Sequence, residues 1–420
     1  MAAVAALLLV AATALGAPDS VRSPSGDLDP SFAGDGTLAH DFYGSHDFAR
    51  GVVVTRAGEI IAGVEAYRGA EVNERTSVLV RYRDDGSLAG VIGLPLRDLS
   101  DLVEVRDGKL LALGSARNGV AVVRVAADGT PDRGFGAEGL AVVPRRRFGR
   151  PECLNGLHVA ATRDGGVLIA GIIGCGGEIG NSGTFVARLR ADGSLDPSFA
   201  NRGLRFMDDC ASAGVAVRRD GKILIATGTG TEDYCYSGAM KVARLTSGGR
   251  PDRSFGRHGR VHVRFPGAGD HTPYAMVIDG RRRIIMAGAA GRHVGAARLT
   301  PAGRLDRSFG DDGLAIRRTR RRSYATAAAV AANGAITVTV SRQGDTGFWS
   351  TSGFIALRFA ADGSPDPAFG ARGLQEVSFG TETAEANDLA LDAHGRTVVV
   401  GHAFSQQSTT TYDVAIARLR

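Results

Sequence analysis

The chain has 420 residues, is 44% hydrophobic but only 6% aromatic, and holds 59 glycines and 14 prolines. Its 50 Lys+Arg outweigh 44 Asp+Glu by a formal charge of only +6. So small a surplus, on a chain read below as exported, argues against nucleic acid as a partner. Nearly all the positive charge is arginine, since lysine occurs only at Lys109, Lys222 and Lys241.

Residues 1–17, MAAVAALLLVAATALGA, form an apolar run that ends in small residues, as a secretory signal does. The run is short of the ~20 residues a membrane span needs. No Lys or Arg precedes it, so retention as an N-terminal anchor stands beside cleavage. Residues 18–25 read as a short linker and 26–420 as a single domain. No second long apolar run follows, so no membrane span is expected after the first segment, and a secreted or cell-surface location is. The four cysteines, an even count behind a signal-like segment, read as disulfides. Cys153 and Cys175 bracket one predicted hairpin, and Cys210 and Cys235 bracket the next. That predicts the bridges Cys153–Cys175 and Cys210–Cys235. No close CxxC pair exists, and no metal is expected.

A glycine in a polar turn between two β-type runs recurs at Gly58, Gly108, Gly165, Gly221, Gly280, Gly334 and Gly395. Around Gly221 the text is VAVRRDGKILIATG, a run, an Asp-Gly turn and a second run. This is a strong hairpin signal. The second runs are nearly all apolar, as in strands buried on both faces. A second turn glycine follows at Gly86, Gly129, Gly193, Gly249, Gly303 and Gly363, and its seventh copy is Gly26 at the other end of the chain. Each unit reads as four strands, in the third unit at about 156–163, 166–173, 184–190 and 203–208. Seven such units predict an all-β, seven-bladed β-propeller with four-stranded blades. The strand near 36–42 should pair with 413–420, closing the last blade and removing a sheet edge.

Charges recur in register. Arg81, Arg124, Arg188, Arg244, Arg298, Arg358 and Arg418 occupy the third strand of each unit. Asp29, Asp132, Asp196, Asp252, Asp306 and Asp366 each lie three residues after a second turn glycine. The two sets flank the turn and should meet across the hairpin. An arginine among apolar residues needs such a partner, so the pairs read as structural ion pairs. Phe32, Phe135, Phe199, Phe255, Phe309 and Phe369 follow at fixed spacing and read as plugs between blades. The Asp-Gly turns are ordinary turn chemistry and lack a full calcium-loop ligand set.

The units LDPSFAGDG, LDPSFANRG and PDPAFGARG, each near an ADG or SG turn and a GKI-type hairpin, resemble the delta-60 repeat. The resemblance spans roughly 26–420. The unit after Gly86 departs from it: SLAGVIGL has Ala89 for the Asp, Ile92 for the Phe and a deletion before Gly93. The outer strand of that blade is therefore expected to differ. The resemblance implies an exported, propeller-like protein. It implies no established reaction and no cofactor, so no catalytic residue is carried over.

Irregular sequence collects in loops between the units, where binding residues concentrate over a rigid scaffold. Arg145, Arg146 and Arg147 precede the third unit, and Arg320, Arg321 and Arg322 precede the sixth. A long loop near 342–352 holds the one tryptophan, Trp349. These clusters suit an anionic partner such as a wall polymer or acidic glycan, or another surface protein. Asp101, His271, Tyr274, Tyr324, Asn387 and Asp388 fall near the starts of first strands, at the expected channel mouth. They are the candidate ligand residues. No GxSxG, HExxH or phosphate-loop sequence occurs, and the adjacent pairs His46–Asp47 and Asp270–His271 do not by adjacency make a dyad. The reading is an exported, monomeric, non-catalytic binding or scaffold propeller. The competing class is an extracellular hydrolase or lyase acting on a carbohydrate or peptide polymer, which converging carboxylates at the mouth would favour.

Overall fold

The computed structural model describes residues 28–68, 75–149, 154–174, 183–231, 234–267, 269–343, 353–381, 383–404 and 411–420. The alternation of apolar runs and Asp-Gly turns yields seven four-stranded antiparallel sheets, the blades of a seven-bladed β-propeller. Strand β1 (Thr37–His40) belongs with the end of the chain. The first blade is β2 (Asp47–Val54), β3 (Ile60–Tyr67), β4 (Arg75–Tyr82) and β5 (Leu88–Leu94). The second is β6 (Asp98–Glu104), β7 (Leu110–Ala116), β8 (Gly119–Val125) and β9 (Leu140–Pro144). The third is β10 (Leu154–Ala161), β11 (Val167–Ile173), β12 (Gly183–Leu189) and β13 (Leu204–Met207). The fourth is β14 (Cys210–Val217), β15 (Ile223–Thr231), β16 (Tyr234–Leu245) and β17 (Arg260–Val263). The fifth is β18 (Pro273–Ile278), β19 (Ile284–Ala290), β20 (His293–Leu299) and β21 (Leu314–Arg317). The sixth is β22 (Ser323–Val330), β23 (Ile336–Arg342), β24 (Gly353–Phe359) and β25 (Leu374–Ser378). The seventh is β26 (Ala384–Leu391), β27 (Thr397–Phe404) and β28 (Tyr412–Leu419), completed by β1.

The expected closure is present. β1 pairs antiparallel with β28, Thr37 facing Ala417 and His40 facing Val414. The blades group into two compact units, one built on the seventh, first and second blades and the other on the third to sixth.

Asp29, Asp132, Asp196, Asp252 and Asp306 do meet the recurring Arg, and each takes a second cation as well. Asp132 binds Arg124 at 2.7 Å and Lys109 at 3.0 Å. Asp252 binds Arg244 at 2.7 Å and Lys222 at 2.8 Å. Asp306 binds Arg298 at 2.8 Å and Arg283 at 3.3 Å, and Asp29 binds Arg418 at 2.9 Å and Arg396 at 3.0 Å. Burial works against the Asp29 carboxylate, but hydrogen bonds from Ser31 and the charges of Arg418 and Arg396 win and hold its pKa down to about 2. The guanidinium lies over the repeat Phe, 4.5 Å for Arg244 and Phe255 and 4.6 Å for Arg298 and Phe309. Its far nitrogen reaches the next blade. Nη1 of Arg188, Arg244 and Arg418 donates to the carbonyls of Ser247, Pro301 and Asp84 at 2.7, 2.8 and 2.6 Å. The Phe plugs are fully buried, against the turn glycine of the following blade where that contact is described: Phe199 on Gly249, Phe255 on Gly303.

The first blade solves the same problem with other residues. Arg81 binds Glu59 at 2.7 Å, a carboxylate on the turn where four other blades carry Lys109, Lys222, Arg283 or Arg396. Ile92 fills the place of Phe, against Gly129. The outer strand β5 does differ: at 7 residues it exceeds the 4- or 5-residue outer strands of the other blades. Without the Asp–Phe loop, the chain enters the strand directly from its turn. The fifth blade also differs from the sequence reading: the left-handed turn residue is Arg282, φ 65°, and not Gly280.

Two turn glycines of equal conformation separate backbone strain from packing. Gly108 (φ 80°) has no atom within 4 Å of a built Cβ, whereas at Gly303 (φ 83°) the Cβ would sit 2.6 Å from the Phe255 ring. Gly108→Ala should cost roughly 1 kcal/mol from the backbone alone. Gly303→Ala should cost clearly more, read as a larger fall in urea midpoint. Equal losses would contradict the plug.

Candidate functional site

The first strand of every blade slips register, that of the fourth blade at two places, between Cys210 and Ser212 and between Ser212 and Gly214. The extra residue is Arg50, Ser100, Leu157, Ala213, Tyr274 and Asn387 in six blades, and Thr326 with Ala327 in the sixth. A bulge re-aims a side chain and breaks the ladder locally. A glycine on the second strand accommodates it. A Cβ at Gly114, Gly171 or Gly401 would collide with the carbonyl oxygen of Asp98, Asn155 or Glu385 on the first strand, and one at Gly288 with that of Thr272 just before it. The bulges present Asn387 and Tyr274, both predicted, and Arg50, which was missed. The sequence signal for the bulges of four other blades was the recurring glycine four to five residues into the second apolar run.

In the unit of the seventh, first and second blades, three predicted residues share a neighbourhood. Asn387 donates from Nδ2 to the Ala49 carbonyl at 2.8 Å and lies 3.4 Å from Nδ1 of His402. Half-buried Asp388 accepts from the Val52 amide at 2.9 Å. Burial, and then the charge of Asp101, push its pKa up to about 7 against the hydrogen bonds of Val52 and Leu389. Asp101 accepts from the Leu102 amide at 2.9 Å. Arg50 holds Glu65 at 2.9 Å, and Glu65 also accepts from the Leu99 amide at 3.2 Å. Burial first, then the nearby Arg50 and His46, depress His402 to about 4, so its ring is neutral at pH 7.

In the unit of the third to sixth blades, Tyr274 and Tyr324 stack with centroids 4.4 Å apart at 26°. His271 is buried, 5% exposed, beside Phe265. Arg320, Arg321 and Arg322 are exposed on the loop from β21 to β22. That loop is pinned. Arg292 donates to the Arg320 carbonyl, the Ser323 amide to the Arg292 carbonyl at 3.0 Å, and the Gln343 amide to the Arg322 carbonyl at 2.9 Å. Arg322 lies 3.6 Å from Asp270. Exposed Arg292 and Arg318 complete the patch. Burial lowers the pKa of His293, and Arg292 and Arg318 lower it further, which reports the local positive field. Arg145, Arg146 and Arg147 are exposed on a one-turn 3-10 helix, Arg145–Phe148, anchored by Phe148 against Phe185 with centroids 4.8 Å apart. Trp349, Cys153 and Cys175 lie outside the described residues, as do the side chains of Cys210 and Cys235. Among the described residues no group of three or more His, Cys, Asp or Glu is placed to hold a metal ion, and no helix is long and apolar enough to cross a membrane.

Part of the chain matches a beta-propeller domain of unknown function. The matching family model, described as "Domain of unknown function (DUF5122) beta-propeller", covers residues 106–135, 163–199 and 218–255. Each segment begins near a first turn and ends on a repeat phenylalanine, Phe135, Phe199 or Phe255. No curated protein matches the sequence. Among solved structures, a protein of unknown function from Dyadobacter fermentans is similar with a TM-score of 0.49 and 11% identity, over 91% of this chain and 98% of that one. A virginiamycin B lyase from Staphylococcus aureus gives 0.48 and 10% over the same shares. A sialidase from Streptococcus pneumoniae gives 0.41 and 10%, over 91% of this chain and 70% of that one.

The raised Asp388 pKa fixes a sign. Its ordinary value is 3.8 and its folded value about 7, so between them the folded chain holds a proton the unfolded chain has lost. That contribution to stability falls as pH rises through this window and levels off above it. Asp388→Asn keeps an acceptor for Val52 and has no proton to lose. Its melting temperature should gain on the wild type between pH 4 and pH 7. Parallel melting curves across that range would contradict the raised value.

Proposed function

We propose that this chain is an exported binding propeller of delta-60 repeat type that captures an anionic polymer, such as an acidic wall polymer or glycan, on the arginine patch of the fifth and sixth blades. The observation that carries the reading is the pinned loop bearing exposed Arg318, Arg320, Arg321 and Arg322, joined by exposed Arg292. A flexible arginine loses rotamer freedom on binding. Here the backbone is already held, so less is lost. Guanidinium groups accept carboxylate and phosphate oxygens in a bidentate fork. The patch does not belong to the repeat, and its arginines are exposed, Arg322 also lying 3.6 Å from Asp270.

A second reading, an extracellular hydrolase or lyase, is favoured by one observation: Asp388 near neutrality with the Asp101 charge close enough to raise it. Such a carboxyl is poised for acid–base work. Both groups are, however, engaged by strand amides at the bulges, a role that the backbone itself demands. Mass spectrometry of polygalacturonate and heparin after incubation separates the classes. Unchanged polymer supports binding, and cleaved polymer supports catalysis.

Retention on immobilised heparin tests the patch. The wild type should bind at low salt and elute as salt approaches about 1 M, where the screening length is roughly 3 Å. The variant Arg320→Ser, Arg321→Ser, Arg322→Ser should elute far earlier with an unchanged melting temperature. Equal retention of the two proteins would contradict the proposal.

A further inference from the structure

The seventh and first blades carry a second cluster that owes nothing to the repeat. Phe48 on β2, Tyr67 on β3, His402 and Phe404 on β27 and Tyr412 on β28 meet with His46, which precedes β2. Phe48 and His402 lie 4.9 Å apart at 76°, His402 and Tyr412 5.0 Å at 87°, and Phe404 and Tyr412 4.8 Å at 69°. Tyr67 stands edge-on to Phe48 at 5.9 Å. All six rings are half-buried, whereas the repeat phenylalanines are fully buried. Buried plugs explain blade packing. Half-buried rings grouped beside polar groups present a platform.

Hydrogen-bonding groups border it. The Arg50 guanidinium sits 5.0 Å from the Phe48 centroid while its Nε holds Glu65. The Asn387 amide and the Asp388 carboxyl follow on the adjoining strand, and Arg75 hydrogen-bonds Tyr67. From this geometry we infer that the aromatic cluster binds a neutral hexopyranose unit, its C–H face on Phe48 and Tyr412 and its hydroxyls on Arg50, Asn387 and Asp388. A pyranose needs an apolar face next to both donors and acceptors, and this juxtaposition offers both. Charge selects the neutral class. Arg50 is balanced by Glu65, and burial pushes the pKa of Asp47, behind the rings, up to about 8, so it too is uncharged at neutrality. A free cation would find Arg50 already over Phe48. A purely apolar ligand would strip water from Arg50 and Asn387 without replacing it.

The site shares no residue with the arginine patch, so the two stand or fall separately. Titration calorimetry of the full chain with cellohexaose, maltohexaose and fully N-acetylated chitohexaose tests it. At least one should bind. Phe48→Ala and Tyr412→Ala should each weaken that binding about tenfold, and Tyr412→Phe, which keeps the ring, should weaken it less. Should an alanine variant not fold, Arg50→Gln supplies the test, since glutamine still donates to Glu65; it should weaken binding several-fold in a chain that still unfolds cooperatively above the assay temperature. Heparin retention should be unaltered in all these variants. No binding of any of the three sugars, or equal binding by the folded variants, would overturn the inference while leaving the polyanion reading untouched.

Discussion

A guanidinium buried without partners would cost more than a blade could return, and the packing of this chain follows from how that cost is met. Arg298 and Arg418 are each 1% exposed. Each is neutralised by an Asp of its own blade, stacked on the repeat phenylalanine, and hydrogen-bonded to a turn of the next blade. Removing one partner from such a group typically costs about 3–5 kcal/mol. One residue thus ties the third strand, the loop after it and the neighbouring sheet. The turn carbonyl must come close, so the glycine beside it must lack a side chain, and the phenylalanine fills what remains.

The repeat was legible because these demands recur in register. Seven hairpins, the Arg–Asp pairing and the completion of the last blade by the first strand all follow from spacing alone. What spacing hid was substitution by equivalence. Glu59 replaces a missing Asp from the opposite side of the ion pair, and Ile92 replaces a phenylalanine. Arg282 takes a left-handed conformation where Gly280 was the natural expectation. The bulges of four other blades were written in the second-strand glycines, which look like strand-weakening residues until the colliding carbonyl is seen. The aromatic cluster was not written locally at all. Phe48 and Tyr412 come from opposite ends of the chain and meet only because the last blade is completed by the first strand. Asp101, Asn387 and Asp388 were found, since they sit at first-strand positions that any propeller exposes, but their shared environment needed the fold.

The division of labour among charges carries the functional argument. The repeat charges of five blades are spent on one another, and Arg81 of the first blade on Glu59. Charges that do not recur, Arg292, Arg318 and Arg320–Arg322, stay exposed on a backbone held by its own hydrogen bonds. Among the aromatic rings, the recurrent phenylalanines are buried plugs, while the irregular cluster of Phe48, Tyr67, Phe404 and Tyr412 faces solvent in part. Function is expected where the repeat lets go.

The measurement that tests this division most directly is Arg298→Leu, followed by thermal unfolding and by heparin retention of the folded protein at the same salt. The account predicts a melting temperature lowered by several degrees with retention unchanged. Retention lost with melting unchanged would mean that a repeat arginine binds rather than holds, and the division would fail.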